Sequence, residues 1–212
     1  MIYEFPEPRD PVRQGDIFVD LPRMDLSLQK VPVYRESESA LEEAPWVEVV
    51  NARKDPVSVV VAMRPVPAIV ITQDCDALRS RLITLCEIRE FNSVEGKAKN
   101  GPTTPGKWVK LITQQARMNQ KWFYLPADSR MGFTDKMGVD FQVTLSVRRE
   151  DLGAFISLRK GRLNPMADEH FRERIAEYFR RYPYDEWYPL DKAELAAYQA
   201  SYPDAKPFSW QK

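Results

Sequence analysis

The main indication of the fold is the stretch AIVITQDCDALRSRLITLCEI, residues 68–88. Two apolar runs rich in β-branched residues, AIVIT and LITLCEI, flank the largely polar segment QDCDALRSR. β-Branched residues favour strands over buried helix, and a polar interval between two such runs is typical of an antiparallel pair. The stretch therefore predicts strand, turn and strand, with Asp74, Cys75 and Asp76 in the turn.

Further strands are predicted on both sides of this stretch. Apolar and polar positions alternate along GDIFVDLP, residues 15–22, as in a half-buried strand. A hairpin is predicted over residues 46–50, WVEVV, and residues 56–63, PVSVVVAM, with the polar residues NARKD in its turn. Two later strands are predicted over KWFYL, residues 121–125, and DFQVTLSV, residues 140–147.

Three segments are predicted to lie outside the sheet. ESESALEEAP, residues 36–45, is acidic and predicts a solvated loop or a short exposed helix. Residues 92–106 are dense in Gly, Pro, Asn and Thr, and they predict a long surface loop. KWVKLITQQARMN, residues 107–119, predicts a short helix.

A change of period after Gly161 predicts a helical C-terminal part. Asn164 suits the N-cap, Pro165 suits the first helical position, and the apolar residues that follow recur at helical spacing. This apolar stripe consists of Phe171, Ile175, Tyr178, Phe179 and Tyr182. Pro183 is predicted to end the helix, and Asp191 to begin a second, shorter one.

Composition narrows the class of protein. Lys+Arg and Asp+Glu both total 31, so no global charge steers the chain toward nucleic acid or anionic membranes, and such binding needs a local patch. The two cysteines, Cys75 and Cys86, are too few for a disulfide framework and favour a reducing compartment. The acidic, proline-rich N-terminal sequence does not resemble a signal peptide, and no apolar run approaches the roughly 18 residues of a membrane span. We therefore expect a cytoplasmic protein without membrane contact.

The turn that contains Cys75 has three interpretations. A reactive thiol needs a nearby cation or imidazole, whereas Asp74 and Asp76 raise a cysteine pKa, and His170 lies far along the chain. A zinc site needs Cys-x-x-Cys or His-x-x-x-His spacing, which the sequence lacks, so neither a metal nor a cofactor is expected. The remaining interpretation is a structural turn whose carboxylates accept hydrogen bonds from backbone amides.

A basic segment gives the strongest indication of a partner. Between Glu95 and Asp128 the sequence has six basic residues and no acidic one, with aromatic residues interleaved. Cations for phosphates and aromatic faces for unstacked bases are the two requirements of single-strand recognition. The expected phosphate contacts are Lys107, Lys110, Arg117 and Lys121, and the expected stacking faces are Trp108 and Trp122. Alternatively, the lysines belong to a solvated loop and the aromatic residues to a core strand.

The order of these pieces resembles the PemK/MazF-like family, small SH3-type β-barrels that include bacterial toxin endoribonucleases. The family's opening strand is similar to RQGDIFVDL in this chain. Its strand-turn-strand is similar to PAIVITQDCDALRSRLITLCEI, and its late strand and terminal helix are similar to DFQVTLSVRREDL. The resemblance implies a mainly β (α+β) chain, with an SH3-like PemK/MazF-type barrel enlarged by long insertions over residues 1–160. A C-terminal helical extension, residues 161–212, would pack on that barrel.

The resemblance also implies a function. The leading expectation is a cytoplasmic bacterial module that binds nucleic acid or protein, in a toxin–antitoxin or phage-defence setting. Its partner would be single-stranded RNA or DNA, another protein, or a second copy of the chain.

Two enzymatic alternatives remain open. The first is a metal-independent endoribonuclease of the same fold, for which Arg64-Pro65 is the nearest match to the Arg-Pro pair of the toxins. Arg64 and Arg79 would then stabilise the pentacoordinate phosphate, and Asp74 or Asp76 would be the general base. The second is a thiol-dependent enzyme that uses Cys75.

Overall fold

The computed structural model describes residues 2–35, 40–52, 58–90 and 121–180, together with positions 196, 200, 201 and 203. The chain divides into two compact units, Met1–Tyr178 and Phe179–Lys212. The described strands and nearly all of the described helical residues belong to the first unit.

Within the described residues, ten strands form two antiparallel sheets. The strands are β1 (Tyr3–Glu4), β2 (Asp16–Met24), β3 (Val31–Arg35), β4 (Ala40–Ala44), β5 (Ser58–Val59), β6 (Met63–Val70), β7 (Leu82–Glu90), β8 (Trp122–Leu125), β9 (Met137–Arg148) and β10 (Arg159–Leu163). The larger sheet has the order β1-β10-β2-β6-β7-β9-β8, and the smaller one has the order β4-β3-β5. The mainly β, α+β class expected from the sequence is confirmed.

Four α-helices accompany the sheets in the part of the chain that the structure describes. They are α1 (Trp46–Ala52), α2 (Asp74–Ala77), α3 (Arg149–Ala154) and α4 (Pro165–Arg180), with 3₁₀ turns at Ser129–Met131 and Ile156–Leu158. None of the helices in the described part of the chain is long and apolar enough to span a membrane. The predicted start of α4 is confirmed, because the Asn164 side chain accepts a hydrogen bond from the Ala167 amide at 2.9 Å.

The opening stretch folds as its sequence predicts. Strands β6 and β7 pair in antiparallel register, with Ile69 opposite Cys86 and Val70 opposite Leu85. The polar segment between them forms the single helical turn α2. The Thr72 hydroxyl accepts a hydrogen bond from the Thr84 amide at 2.7 Å, which holds the two strand ends together.

Each face of the larger sheet carries a buried hydrophobic cluster. Successive strand residues point to opposite faces, so Ile17 and Phe18 of β2 belong to two separate hydrophobic clusters. Phe171 of α4 packs in the first cluster, whereas Ala77 of α2 and Leu152 of α3 pack in the second. Helices α2 and α3 therefore cover the same face of the sheet, and α4 covers the other face.

Residues 46–50 form helix α1, so the predicted strand there is wrong. The amides of Glu48 and Val49 donate to the Pro45 carbonyl, and Val49 packs against Val31 and Val33 of the smaller sheet. The free energy gained by burying Val49 against the smaller sheet outweighs the strand preference of this valine-rich segment. The predicted hairpin with residues 56–63 is consequently also wrong, because in the described part of that range Ser58–Val59 pairs with β3 and Met63 pairs with β2.

The acidic segment 36–45 was expected to be a loop or a helix, but Ala40–Ala44 is strand β4. It pairs with β3 along its whole length, and Glu42 and Glu43 are exposed. Charged residues are typical of an edge strand, because they discourage pairing with other chains. The charge was therefore a sign of a strand edge rather than of a loop.

The barrel implied by the resemblance is not closed. Among the described strands, β1 pairs with β10 alone and β8 pairs with β9 alone, which leaves an open sheet. The expected boundary between residues 160 and 161 falls inside strand β10. Of the apolar stripe on α4, Phe171 is buried and Ile175 packs against the core, whereas Phe179 is exposed. The long loop at 92–106, the helix at 107–119 and the helix from Asp191 lie on segments outside the described residues, apart from isolated positions.

Candidate functional site

Asp74 is held on both of its carboxylate oxygens. Oδ1 accepts a hydrogen bond from the Gln14 amide at 2.9 Å, and Oδ2 accepts one from Arg172 Nη2 at 2.8 Å. These bonds tie α2 to the start of β2 and to α4. Asp74 therefore behaves as a structural junction, and its occupied oxygens are poorly placed for a general base.

Asp168 completes this junction from the first turns of α4. Its Oδ2 lies 2.9 Å from Arg172 Nη2, whereas its Oδ1 is buried without a hydrogen-bond partner in the described part of the chain. Burial raises the pKa of Asp168, the Arg172 charge lowers it, and the Asp74 charge raises it further. A Cβ atom on Gly15 would lie only 2.9 Å from Oδ1, so this close approach requires glycine.

The other residues of the predicted turn lie at the surface. Asp76 Oδ1 accepts hydrogen bonds from Arg79, at 2.9 Å from Nη2 and 3.2 Å from Nε. The hydrogen bond to Asp76 raises the pKa of Arg79, and the charges of Asp76 and Cys75 contribute in the same direction. Cys75 is exposed, and no hydrogen bond joins it to His170, which is exposed on α4. The thiol therefore has no imidazole base in this arrangement.

Arg64 lies at the opposite end of β6 from this turn. The six-residue step from Arg64 to Val70 spans roughly 20 Å in an extended strand. Arg64 instead contacts Glu87 of β7, with Nη2 at 2.9 Å from Oε1, and Asp25, with Nε at 3.3 Å from Oδ2. The structure thus brings Asp74, Cys75, Asp76 and Arg79 onto one turn and separates Arg64 from them.

Glu87 organises the surroundings of Arg64, although no sequence pattern singled it out as a site residue. Its carboxylate is buried and also accepts a hydrogen bond from Arg23 of β2. Arg23 reaches Asp25 as well, and Arg89 lies 3.5 Å from Asp140. Three arginines thus face three carboxylates, so this network is internally neutral.

A second group of arginines lies where β7 begins and β9 ends. We call it the arginine corner, and it comprises Arg79, Arg81, Arg148 and Arg149. Leu82 pairs with Arg148 in the β7–β9 ladder, and the Arg149 amide donates to the Arg81 carbonyl at 2.9 Å. Arg81 and Arg149 are therefore cross-strand neighbours, where like charges are destabilising unless something compensates them.

The arginine corner has four arginines and three nearby carboxylates, so its net charge is +1, and two of its arginines form no salt bridge in the described part of the chain. Arg79 pairs with Asp76, and Arg148 pairs with Asp151 at 2.9 Å and with Glu150 at 3.3 Å. Within the described residues, neither Arg81 nor Arg149 forms a salt bridge; Arg149 Nε donates to the Ser80 carbonyl at 3.2 Å. Both side chains are exposed, so their remaining N–H groups are available to an anion.

The predicted basic segment is only partly described. Lys107, Trp108, Lys110 and Arg117 lie outside the described residues. Trp122 is in β8 and only 5% exposed, and the Lys121 ammonium lies 5.3 Å from its ring centroid. The Trp122 ring therefore offers no open face to a base, in contrast to the stacking role expected for it.

The described residues include no group of three or more His, Cys, Asp or Glu side chains arranged to hold a metal ion. Comparison of the chain with protein-family models, with curated proteins and with solved structures finds no match in any of the three. The interpretation of the site consequently rests on its own geometry.

Proposed function

We propose that this protein is a nucleic-acid-binding module whose arginine corner contacts the phosphate backbone. The observation that supports this most directly is the cross-strand pair Arg81 and Arg149, two exposed guanidinium groups without carboxylate partners among the described residues. A phosphate between them would remove the repulsion, and guanidinium groups match phosphate oxygens in a bidentate geometry.

A polymeric anion suits this surface better than a small one. The four arginines lie on an exposed turn and at an exposed strand end, where contacts to several phosphates add along a chain. The sequence between residues 97 and 121 supplies six further basic residues without an acidic one. These two basic regions provide the local positive charge that an overall neutral chain needs.

A relationship to the PemK/MazF-like family is part of this proposal. The strand order that suggested it, an opening strand, a strand-turn-strand and a late strand followed by a helix, corresponds to β2, β6-α2-β7 and β9-α3. An open variant of the SH3-type barrel, in a bacterial toxin–antitoxin or phage-defence setting, would accommodate this order.

The geometry favours binding over catalysis. The endoribonuclease hypothesis places Arg64 and Arg79 on one phosphate, but these residues are near opposite ends of the β6-α2 segment, and each is paired with carboxylates. The thiol-enzyme hypothesis needs a base beside Cys75, and none is hydrogen-bonded to it among the described residues. We therefore propose the binding module and treat cleavage as an outcome to be measured.

A gel-shift and cleavage assay with mixed-sequence single-stranded RNA and DNA tests the proposal. We expect a shift with intact oligonucleotide at low salt, and loss of that shift in the double variant Arg81→Glu/Arg149→Glu. The matched control is Arg9→Glu/Lys30→Glu, which reverses two exposed charges elsewhere and should leave the shift unchanged. Absence of a wild-type shift would overturn the proposal. The exposed apolar side chains of residues 24–63 would then make a protein partner or a second copy the next candidate.

A further inference from the structure

Phe155 lies one short helix away from the arginine corner, and its ring is exposed. It directly follows α3, which begins at Arg149, so about 9 Å of helix rise separates the two residues. The Phe155 side chain is 60% exposed. Within the described part of the chain, no aromatic or cationic group packs on the ring, whereas Phe5, exposed elsewhere, lies under Arg130.

The backbone that carries this ring is fixed. The Phe155 amide donates to the Asp151 carbonyl at 2.9 Å, and the Phe155 carbonyl accepts from the Leu158 amide at 2.9 Å. Leu152, one helical turn earlier, is buried against the sheet. The exposed ring is therefore presented from an anchored position, which lowers the entropic cost of binding to it.

The α2/α3 face of the sheet carries a further exposed apolar side chain. Leu78 follows the buried Ala77 of α2, whereas Leu82 precedes Ile83 of the same cluster as Ala77 and therefore points to the opposite face of the sheet. Ala77 and Leu152 pack in one hydrophobic cluster, so α2 and α3 cover the same face of the sheet. Leu78 directly follows α2 and Phe155 directly follows α3, so both lie at the edge of this helical layer. The exposed Leu78 is thus next to Arg79 in the chain, and the exposed Phe155 directly follows the helix that begins at Arg149.

We propose that Phe155 is a stacking platform for an unpaired base, and that the ligand is consequently a single-stranded nucleic acid. This inference rests on the proposed function and narrows its ligand class. Guanidinium groups would hold successive phosphates while the ring contacts a base, a combination that duplex nucleic acid cannot use because its bases are already stacked.

The test compares Phe155→Ala with wild-type protein on two probes. One probe is a mixed-sequence single strand of about 12 nucleotides, and the other is inorganic polyphosphate, which has charge but no bases. We expect the substitution to weaken oligonucleotide binding roughly 5- to 150-fold while polyphosphate binding stays unchanged. Met166→Ala, which removes an exposed apolar side chain from α4, should change neither affinity.

Three outcomes would overturn this inference, and two of them leave the proposed function standing. If Phe155→Ala leaves the oligonucleotide affinity unchanged while Arg81→Gln/Arg149→Gln lowers it, the stacking role is overturned and the phosphate-binding corner stands. If the wild-type protein binds neither probe, both are overturned. Equal losses on oligonucleotide and polyphosphate would also contradict stacking, because polyphosphate has no base for the ring to contact.

Discussion

At the scale of single residues, Asp16 is the most deeply buried charge in the described part of the protein. It is inaccessible to solvent and is hydrogen-bonded by Arg162 and, at 3.2 Å, by Arg159. The same two arginines also donate to the carbonyls of Glu7 and Pro11, so they fasten the N-terminal arm to the sheet. This arrangement ties Asp16 to the stability of the whole first unit.

Asp16→Asn should therefore destabilise the protein strongly. The substitution leaves the Arg159 and Arg162 charges buried without a counter-charge, which costs about 3–5 kcal/mol of unfolding free energy. Urea denaturation followed by circular dichroism measures this change. Glu177→Gln, which removes an exposed partner of Arg174, is the control and should cost less than about 1 kcal/mol. Similar losses in the two variants would contradict our description of the Asp16 site.

The two cysteines should react at very different rates. Cys75 is exposed, whereas Cys86 is buried in β7, where burial raises its pKa to about 12, with a smaller contribution from the Asp140 charge. Since the thiolate is the reactive form, one thiol per chain should be alkylated in the native protein and two after denaturation. Mass spectrometry of iodoacetamide-treated protein counts them. Modification of Cys86 as fast as Cys75 would show that the β6–β7 core is not closed as described.

Asp168 should make stability depend on pH in a predictable direction. Because burial raises its folded-state pKa above the ordinary 3.8, the carboxyl binds its proton more tightly when the protein is folded. The resulting stabilisation is fully present below the unfolded-state pKa and is lost as pH rises through the raised folded-state pKa. The Asp168→Asn variant has no carboxyl that titrates at this position. The difference in unfolding free energy, variant minus wild type, should therefore increase with pH across that window and be constant above it. Urea titrations from about pH 4 to neutrality test this, and a difference that falls with pH would contradict it.

At the scale of secondary-structure elements, local sequence predicted the larger sheet better than the smaller one. Strands β2, β7 and β8 and helix α4 carry strong periodicity, clear boundaries or caps, which are local signals. The valine-rich segment 46–50 instead follows its burial against β3, and the acidic segment 40–44 follows its position as a sheet edge. Neither of these causes can be found in a short window of sequence.

The smaller sheet should open more readily than the larger one. Its core consists of Val31, Val33 and Val49 with Ala44 beside them, whereas the larger sheet has extensive clusters on both faces. Hydrogen exchange should therefore be faster in residues 31–35 and 40–44 than in residues 82–88. Val49→Ala, which removes about 1–2 kcal/mol of apolar burial, should accelerate exchange in the smaller sheet and leave β7 unchanged. Val47→Ala, at an exposed position on the same helix, is the control. Equal protection of the two sheets would contradict this hierarchy.

At the scale of the whole molecule, long-range strand pairing assembles the candidate site. The sequence identified the turn that carries Asp74, Cys75, Asp76 and Arg79, because a polar interval between two strands is a local pattern. It could not show that Arg81 and Arg149 are neighbours, since that depends on the pairing of β7 with β9 across 68 positions of the chain. For the same reason it grouped Arg64 with Arg79, whereas the strand direction separates them.

The salt dependence of single-strand binding shows whether Arg81 and Arg149 contact phosphates. The measurement is fluorescence anisotropy of a labelled mixed-sequence RNA, titrated at several salt concentrations between about 50 and 200 mM. Wild-type affinity should fall as salt rises, because each phosphate contact releases counterions. Arg81→Gln/Arg149→Gln should bind more weakly and reduce the slope of log affinity against log salt by about 1.4, for two lost contacts. The control Arg9→Gln/Lys30→Gln should retain the wild-type slope. No wild-type binding at the lowest salt, or the same slope in all three proteins, would contradict a phosphate-binding arginine corner.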